Sequence, residues 1–584
     1  MIQNIEEKLN ESASAASLLR WASLFAASLV AALFIYVALS RMFYPYEIEF
    51  EEGDLFLGSL RVLDGKSLYP SPDSDPSFVP VLYVPLYYWA NALFMLALGK
   101  KLWVMRLVST LCACGIAALT ASVAKRSGAK STHAATSGLM FLCFFSASGF
   151  WFDLARVDMM FMLFALGAFY ILSVQDASNR RLLLAGALLV AATYIKQPGI
   201  FFAASATLFL MTRNFKRGFA FGAACLSAIL LIGLAYHVQT DGQFTFFTLT
   251  LGSSHEISLS RLLNPVPWLK ATWPLVLAMM VAIALHGKGE RAKFAPWIFY
   301  LLACVPAALL PWSKVGFYLN NLIPLFSALC ILAALADKNI VRFFMICQAV
   351  ILLHNPAFQI PDPSMREDGA RLIQSLAEDA GSTYLLDHSY YSWLAGKPTW
   401  PKGMFIAEAQ KADRPPPRKL VEMIDKVEFD RIIVDLMPPF DFFSSRIMRR
   451  YKVSDKLTSP PQALTGALIY PKFIMTPVKI IQLLQFDQGA PTGWMLQGDR
   501  FISPLLPDFC ASISFEIEGD AGSSVRLYAG DRVIAQTGGV PGKSALRTRW
   551  LTDSCTEKGC RIVVRNLKQF DDGRMSVKNL NLEF

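Results

Sequence analysis

Long apolar runs separated by short basic loops fill the first 355 residues of this 584-residue chain, and no other feature constrains its fold as much. An apolar run that crosses lipid must satisfy its own backbone hydrogen bonds, so each is expected to be a helix. The runs lie at 21–40, 103–124, 134–151, 157–174, 182–195, 200–212, 218–236, 267–286, 294–311, 316–336 and 341–354. They predict an all-α membrane bundle of about eleven transmembrane helices. The run Trp21–Ser40 is uncharged and longer than a signal-peptide apolar region, so it is expected to stay as the first helix.

Basic residues orient the bundle. Lys125, Arg126 and Lys130 follow the second run, Arg180 and Arg181 the fourth, and Arg213, Lys216 and Arg217 the sixth. Lys288, Arg291 and Lys293 follow the eighth, and Lys338 and Arg342 the tenth. Positive residues stay cytoplasmic, which predicts a multi-pass inner-membrane protein with a cytoplasmic N-terminus and a periplasmic or extracytoplasmic tail. The net charge of +10 comes largely from such loops, and argues against nucleic acid as a partner. The stretch Val81–Leu98 would break the alternation if it spanned. Pro85–Leu98 is therefore expected to be an interfacial helix, its Tyr87, Tyr88 and Trp89 suiting the headgroup layer.

The tail has an ordinary soluble composition. Residues 356–475 mix helical stretches (370–380, 419–426) with short apolar strands (Tyr384–Leu386, Ile432–Leu436), and predict an extracytoplasmic α/β domain. Residues 490–584 alternate with period two, as in Ile513, Phe515 and Ile517, and predict that residues 476–584 form a terminal β-sandwich, a candidate carbohydrate-binding module. Residues 1–355 then form the catalytic membrane domain. Of ten cysteines, seven lie in apolar runs and read as packing residues. An oxidising compartment would permit one disulfide in the tail, Cys555–Cys560, with Cys510 as the alternative partner. No metal-ligand spacing occurs.

Charges gather in the loops predicted to face outward. Glu47, Glu49, Glu51, Glu52 and Asp54 crowd behind the first run, where low dielectric favours a carboxyl poised to accept a proton. Arg156 and Asp158 open the fourth run, at a depth where ionisable groups are costly. Lys196 stands in a Pro/Gly break, able to snorkel or to hold a phosphate as a point charge. Lys314, Asn320 and Asn321 surround the start of the tenth run, and His255 lies in the loop before the eighth. Cations at a lipid–water boundary suit a lipid-linked phosphate, and carboxylates with aromatics suit a sugar. There is no nucleotide-binding glycine loop, so the energy must come from an activated donor.

The order of these segments resembles the GT-C superfamily of polyprenyl-phosphate-sugar-dependent glycosyltransferases, which includes protein O-mannosyltransferases, aminoarabinose transferases and arabinosyltransferases. The matching segments are Glu51-Glu52-Gly53, Gly65 with Leu68-Tyr69, and Tyr83-Val84-Pro85-Leu86-Tyr87-Tyr88. Arg106, Ala155–Asp158, Lys196–Gly199, and Lys314 with Gly316 and Asn320 complete the pattern. The family's acidic pair is usually Asp-Glu; here it is Glu-Glu. The resemblance implies a GT-C-like bundle moving a monosaccharide, hexose or pentose, from a polyprenyl-monophosphate donor to a glycan, lipid or protein acceptor hydroxyl, with inversion. Glu51, Glu52 and Asp158 are the implied catalytic residues, and Lys196, Arg156 and Lys314 the phosphate-binding ones. Tyr83, Tyr87, Tyr88, Asp54, His255 and Asn320 are expected to contact substrate or lipid. The choice of base is open: the glycine after Glu52 favours that residue, and the family order favours Glu51. No organic cofactor is implied, and a divalent metal has no assigned ligands. The alternatives are a ligase using a pyrophosphate carrier, and a transporter or glycan-binding membrane protein. The lack of a pseudo-repeat argues against transport.

Overall fold

The computed structural model describes residue 6, residues 12–75, 78–174, 178–253, 255–285, 293–314, 316, 318–435, 446–448 and 450–477, and strand backbones between 480 and 583. These residues form two units, one of Met1–Ala380, Tyr384–Leu420 and Leu457–Lys472, the other of Gly381–Thr383, Val421–Lys456 and Phe473–Phe584.

The first unit is helical. Helices α1 (Ala13–Met42), α2 (Glu52–Leu63), α3 (Leu86–Leu98) and α4 (Leu102–Arg126) are followed by α5 (Ser131–Cys143), α6 (Asp158–Leu172), α7 (Asn179–Ile195) and α8 (Gly199–Arg213). Then come α9 (Phe215–Gln239), α10 (Val266–Leu285), α11 (Ala295–Trp312), α12 (Ile323–Ala334) and α13 (Asn339–Ile351). A helix thus falls on each of the apolar runs. Among the described residues, five helices are long and apolar enough to cross a membrane: α1, α4, α9, Leu259–Leu285 and α11. A sixth is added if α13 and the stretch Pro356–Glu378, bent by 65° from it, count as one span. The remaining apolar helices are shorter, and the count of eleven crossings stays an expectation. Large apolar side chains such as Phe25, Leu183 and Leu231 point outward, as on a surface solvated by lipid.

Three features place the site. Helix α1 packs on α5 and α13, and α4 on α5 and α6, so the loop after α1 is brought beside the segment leading into α6. That segment turns at Gly149 and Phe150, both at positive φ (74° and 63°), a strained pair held where the Arg41 guanidinium donates to the Phe150 carbonyl at 2.6 Å. Helix α7 ends at Lys196, and α8 starts at Gly199, where a Cβ would lie 2.4 Å from the Thr193 amide. The α7–α8 hairpin therefore needs glycine there.

Residues predicted to start the α/β domain contribute helices α14 (Pro363–Glu378), α15 (Ser389–Leu394) and α16 (Gly403–Lys411) to the first unit. In the second unit, Phe473–Pro477 pairs antiparallel with Arg431–Val434 and with Tyr451–Lys456. Beyond it lie a five-stranded sheet, in the order Arg532–Gly538, Ser524–Ala529, Cys560–Arg565, Arg500–Ile502, Met495–Gln497, and a four-stranded one, Leu546–Leu551, Ser512–Glu518, Ser576–Glu583, Ile480–Leu483. Strand alternation thus folds as strands. The expected disulfide falls on Cys510, Cys555 and the Cys560 side chain, outside the described residues.

Candidate active site

The five carboxylates behind α1 are sorted by their cations. Glu52 is fully buried at the start of α2, and its carboxylate accepts from Arg106 Nε at 2.9 Å and Nη2 at 2.6 Å. The Ile48 and Ala155 amides also donate to it, each at 2.8 Å. Burial would raise its pKa, but Arg106 and these amides outweigh burial and hold the carboxyl below its ordinary range. Arg106 in turn donates to the Tyr44 carbonyl at 2.5 Å and the Tyr46 carbonyl at 2.8 Å, so this pair ties the loop to α4.

Glu47 pairs with His388 Nδ1 at 2.6 Å, and Asp54 with Lys402 Nζ at 2.7 Å, all four side chains buried. Gly53 lies in the helix between them without positive φ. A Cβ there would sit 2.1 Å from Glu47 Oε1 and 2.4 Å from Tyr390 Cβ. The glycine is thus required by close packing, and not by a backbone turn that exposes Glu52.

Glu49 and Glu51 share one cation. Arg156 Nη1 lies 3.2 Å from Glu49 Oε2 and also pairs with Glu51 Oε2, while Nη2 donates to the Tyr83 hydroxyl at 2.8 Å. Glu51 is the N-cap of α2, with its side chain 18% exposed, against 2% for Glu49. Burial, against the pull of Arg156, pushes the Glu49 carboxyl up to about 8. Arg156 Nε makes no hydrogen bond among the described residues.

A second cluster lies at the start of α6. Asp158 Oδ1 accepts from Lys196 Nζ at 2.6 Å and from Asn320 Nδ2 at 3.3 Å, and Lys196 reaches Asn321 Oδ1 at 3.4 Å. Trp151 links the clusters: its Nε1 donates to Asp158 Oδ2 at 3.0 Å, and its ring lies 5.2 Å from the Arg156 guanidinium. Gln197 ties the Lys196 break to the Tyr83 segment by donating to the Leu82 carbonyl at 2.9 Å.

Lys314 bonds the Gly252 carbonyl and pairs through its backbone with Ile257, beside His255. His255 lies 3.5 Å from Glu408 of α16, and burial, then Lys314 and Lys411, lower its pKa. Burial, reinforced by the charge of Glu51, pushes Glu408 up to about 7. Tyr87 and Tyr88 are buried, and Tyr88 packs where a side chain on Gly58 would stand. An apolar groove of about 770 Å³ is instead lined by Trp89 of α3, by α7 from Asn179 to Tyr194, and by α9 from Arg217 to Tyr236.

The expected residues Glu51, Arg156, Tyr83, Asp158, Lys196 and Asn320 thus come together. Sequence reasoning did not single out Arg41, His388, Lys402 and Glu408, whose partners lie more than a hundred residues away in the chain. Among the described residues, no group of three or more His, Cys, Asp or Glu side chains is placed to hold a metal ion.

Residues 79–237 match the family model described as dolichyl-phosphate-mannose-protein mannosyltransferase. ArnT from Cupriavidus metallidurans bound to undecaprenyl phosphate has a similar fold, with a TM-score of 0.50 at 13% identity, over 76% of this chain and 97% of that one. The apo form of that protein gives 0.49 at 13%, over 77% and 97%. The oligosaccharyltransferase AglB from Archaeoglobus fulgidus gives 0.44 at 8%, over 95% of each chain. No curated protein sequence matches the chain. In sequence over residues 79–237, and in fold over 76% of its length, this membrane protein resembles the GT-C superfamily of polyprenyl-phosphate-dependent glycosyltransferases.

Proposed function

We propose that the protein transfers a monosaccharide from a polyprenyl monophosphate to an acceptor hydroxyl on the outer face of the membrane, by one inverting displacement. The observation that carries this reading is that Lys196 and Arg156, linked through Asp158 and Trp151, adjoin segments that line an apolar groove. Tyr194, two residues before Lys196, lines the groove, and so do Pro85 and Leu86, close behind Tyr83. From Asn179 to Tyr194 the groove follows α7 for about 22 Å at 1.5 Å per residue, enough for several isoprene units. A phosphate held by Lys196 and Arg156 would have its lipid led directly into it. The ArnT structure, solved with undecaprenyl phosphate, supports a carrier of this chemistry.

In this mechanism Glu51 takes the proton of the acceptor hydroxyl as its oxygen attacks the anomeric carbon. The bond from that carbon to the phosphate oxygen breaks, and the electron pair leaves with the phosphate. Lys196 and Arg156 stabilise the growing charge, which makes them most valuable in the transition state. Arg156 is bound to Glu49 and Glu51 without donor. An arriving phosphate competes for it, and every bond that Arg156 gives up frees Glu51 to accept one from the acceptor hydroxyl. Asp158 holds Lys196 in place, with Asn320 fixing Asp158. Glu52 fixes the loop.

The test is mass spectrometry of envelope glycans from a deletion strain, with accessibility labelling of Lys130 and Lys397 in intact cells. The deletion should remove one sugar, restored by the wild-type gene and not by Glu51→Gln. Lys397 should label from outside and Lys130 should not. An unchanged glycan profile, or a cytoplasmic Lys397, refutes the proposal.

A further inference from the structure

The segment 384–420 delivers a buried cation to the loop that carries Glu51. Lys402 is 0% exposed, and its Nζ lies 2.7 Å from Asp54 Oδ2 and donates to the Phe50 carbonyl at 2.9 Å. The ammonium also lies 5.0 Å from the centre of the Phe50 ring. These partners bracket Glu51. The Phe50 carbonyl belongs to the peptide that leads into Glu51, and Asp54 stands in the first turn of the helix that Glu51 caps. Nearby, Tyr390 of the same segment donates to the Pro45 carbonyl at 3.0 Å.

Desolvating an ammonium and a carboxylate is expensive, and well-packed apolar side chains would hold two segments together at least as firmly. What the ion pair adds is direction: one cation fixes a backbone carbonyl and a side chain four residues on from it, on the far side of Glu51. We infer that Lys402 is a positioning residue for Glu51, clamping the chain on both sides of it so that the carboxylate meets the acceptor hydroxyl at reacting distance. The inference rests on the reading of Glu51 as base.

Burial pushes the Asp54 carboxyl up to about 7 against the pull of Lys402, while Asp54 holds the ammonium charged above its ordinary range. Above pH 7 both arms of the clamp are therefore set. Below it, Asp54 takes a proton, and Lys402 keeps its charge and its bond to Phe50. Glu47 and Glu51 are the other charged groups acting on Asp54.

The test compares wild type with Lys402→Met/Asp54→Asn, which removes both charges and so leaves neither one buried alone. Purified protein in nanodiscs is assayed with the polyprenyl-phosphate-sugar pool extracted from wild-type membranes, and with envelope from a deletion strain as acceptor. Folding is checked by melting temperature and its rise with undecaprenyl phosphate. The expected result is wild-type melting and donor KM, with turnover at pH 8 lower by roughly 10–100-fold, the scale of a base displaced by about 1 Å. Wild-type turnover, or a loss seen only as a raised donor KM, overturns the inference. Should the double variant not fold, Lys402→Arg serves: a several-fold lower turnover at unchanged donor KM is expected, and wild-type turnover overturns it. A wild-type protein that transfers nothing refutes the proposed function instead, and an active Glu51→Gln refutes the base.

Discussion

Glu51→Gln and Glu52→Gln make the same chemical change one residue apart, and the structure assigns them opposite consequences. Glu52 is fully buried, and four donors converge on its carboxylate at 2.6–2.9 Å, two of them from Arg106. An amide at this position turns an NH₂ toward two of those donors, one from Arg106 and one backbone amide, and leaves Arg106 buried beside a neutral group. Removing one partner of a buried ion pair costs about 3–5 kcal/mol, and a backbone amide left unbonded adds about 1–3 kcal/mol. Glu51 is partly exposed, and its side chain is held by Arg156, which keeps Glu49 if Glu51 is neutralised. Its substitution should cost the fold less than that of Glu52, since Arg156 keeps its bonds to Glu49 and to the Tyr83 hydroxyl. In nanodiscs, Glu52→Gln should therefore melt well below wild type, and any loss of transfer should track that loss of fold. Glu51→Gln should melt closer to wild type than Glu52→Gln does and gain stability from undecaprenyl phosphate as wild type does, yet show no transfer to envelope from the deletion strain. The reasoning fails if Glu52→Gln melts normally without transferring while Glu51→Gln still turns over.

Other substitutions probe the remaining parts. Lys196→Ala should lower the melting temperature, because Asp158 is left buried without its cation, and should lower turnover at saturating donor by ~10²–10³ in the protein that remains folded, as for one preorganised charge; full activity would reduce Lys196 to a partner of Asp158. Rising pH ionises Glu49 through about 8, adding a second carboxylate that holds Arg156 back from phosphate, among neighbours Glu51, Glu52 and Lys402. Wild-type turnover should thus fall above pH 8, and Glu49→Gln should abolish that limb; a limb that persists in the variant refutes the competition. Gly53→Ala would gain about 1 kcal/mol of helix propensity, but its Cβ meets Glu47 and Tyr390 at 2.1 and 2.4 Å, so overpacking of about 1–3 kcal/mol should win and lower the melting temperature.

The helices were legible because lipid-facing segments declare themselves locally: α4 can be read from its own apolar residues and the Lys125-Arg126 that closes it. The strand alternation of Ile513, Phe515 and Ile517 is equally local, and those residues do lie in a strand. The different surroundings of Glu51 and Glu52 were not legible. They depend on Arg106 and on the Ala155 amide, more than fifty residues away. The adjacent glycine pointed to Glu52 for a plausible local reason, but what crowds Gly53 is Tyr390, from a segment whose composition reads as soluble. Lys402 and His388 escaped notice for the same cause: a lysine or histidine in a polar stretch looks solvated until a buried carboxylate from elsewhere in the chain meets it. Tyr87 and Tyr88 erred in the other direction, since aromatics fit a headgroup layer and a protein interior alike.

Matching acids to cations shows where a ligand would enter. Glu47 has His388, Glu52 has Arg106, and Asp54 has Lys402. Asp153 has Arg41, and Asp158 has Lys196. Each of these basic groups pairs with one acid at 2.5–2.7 Å, and disturbing it would disturb the fold. Arg156 alone among these six is divided between two acids, and its Nε has no hydrogen bond among the described residues. A phosphate that drew Arg156 from Glu51 would strip no acid of a dedicated partner. Glu49, its carboxyl pushed up to about 8, already holds a proton at neutral pH, and Glu51 would be released as a base at the moment the leaving group gains its counter-charge. Donor binding and base activation are then one event, which keeps Glu51 quiet until there is a sugar to transfer.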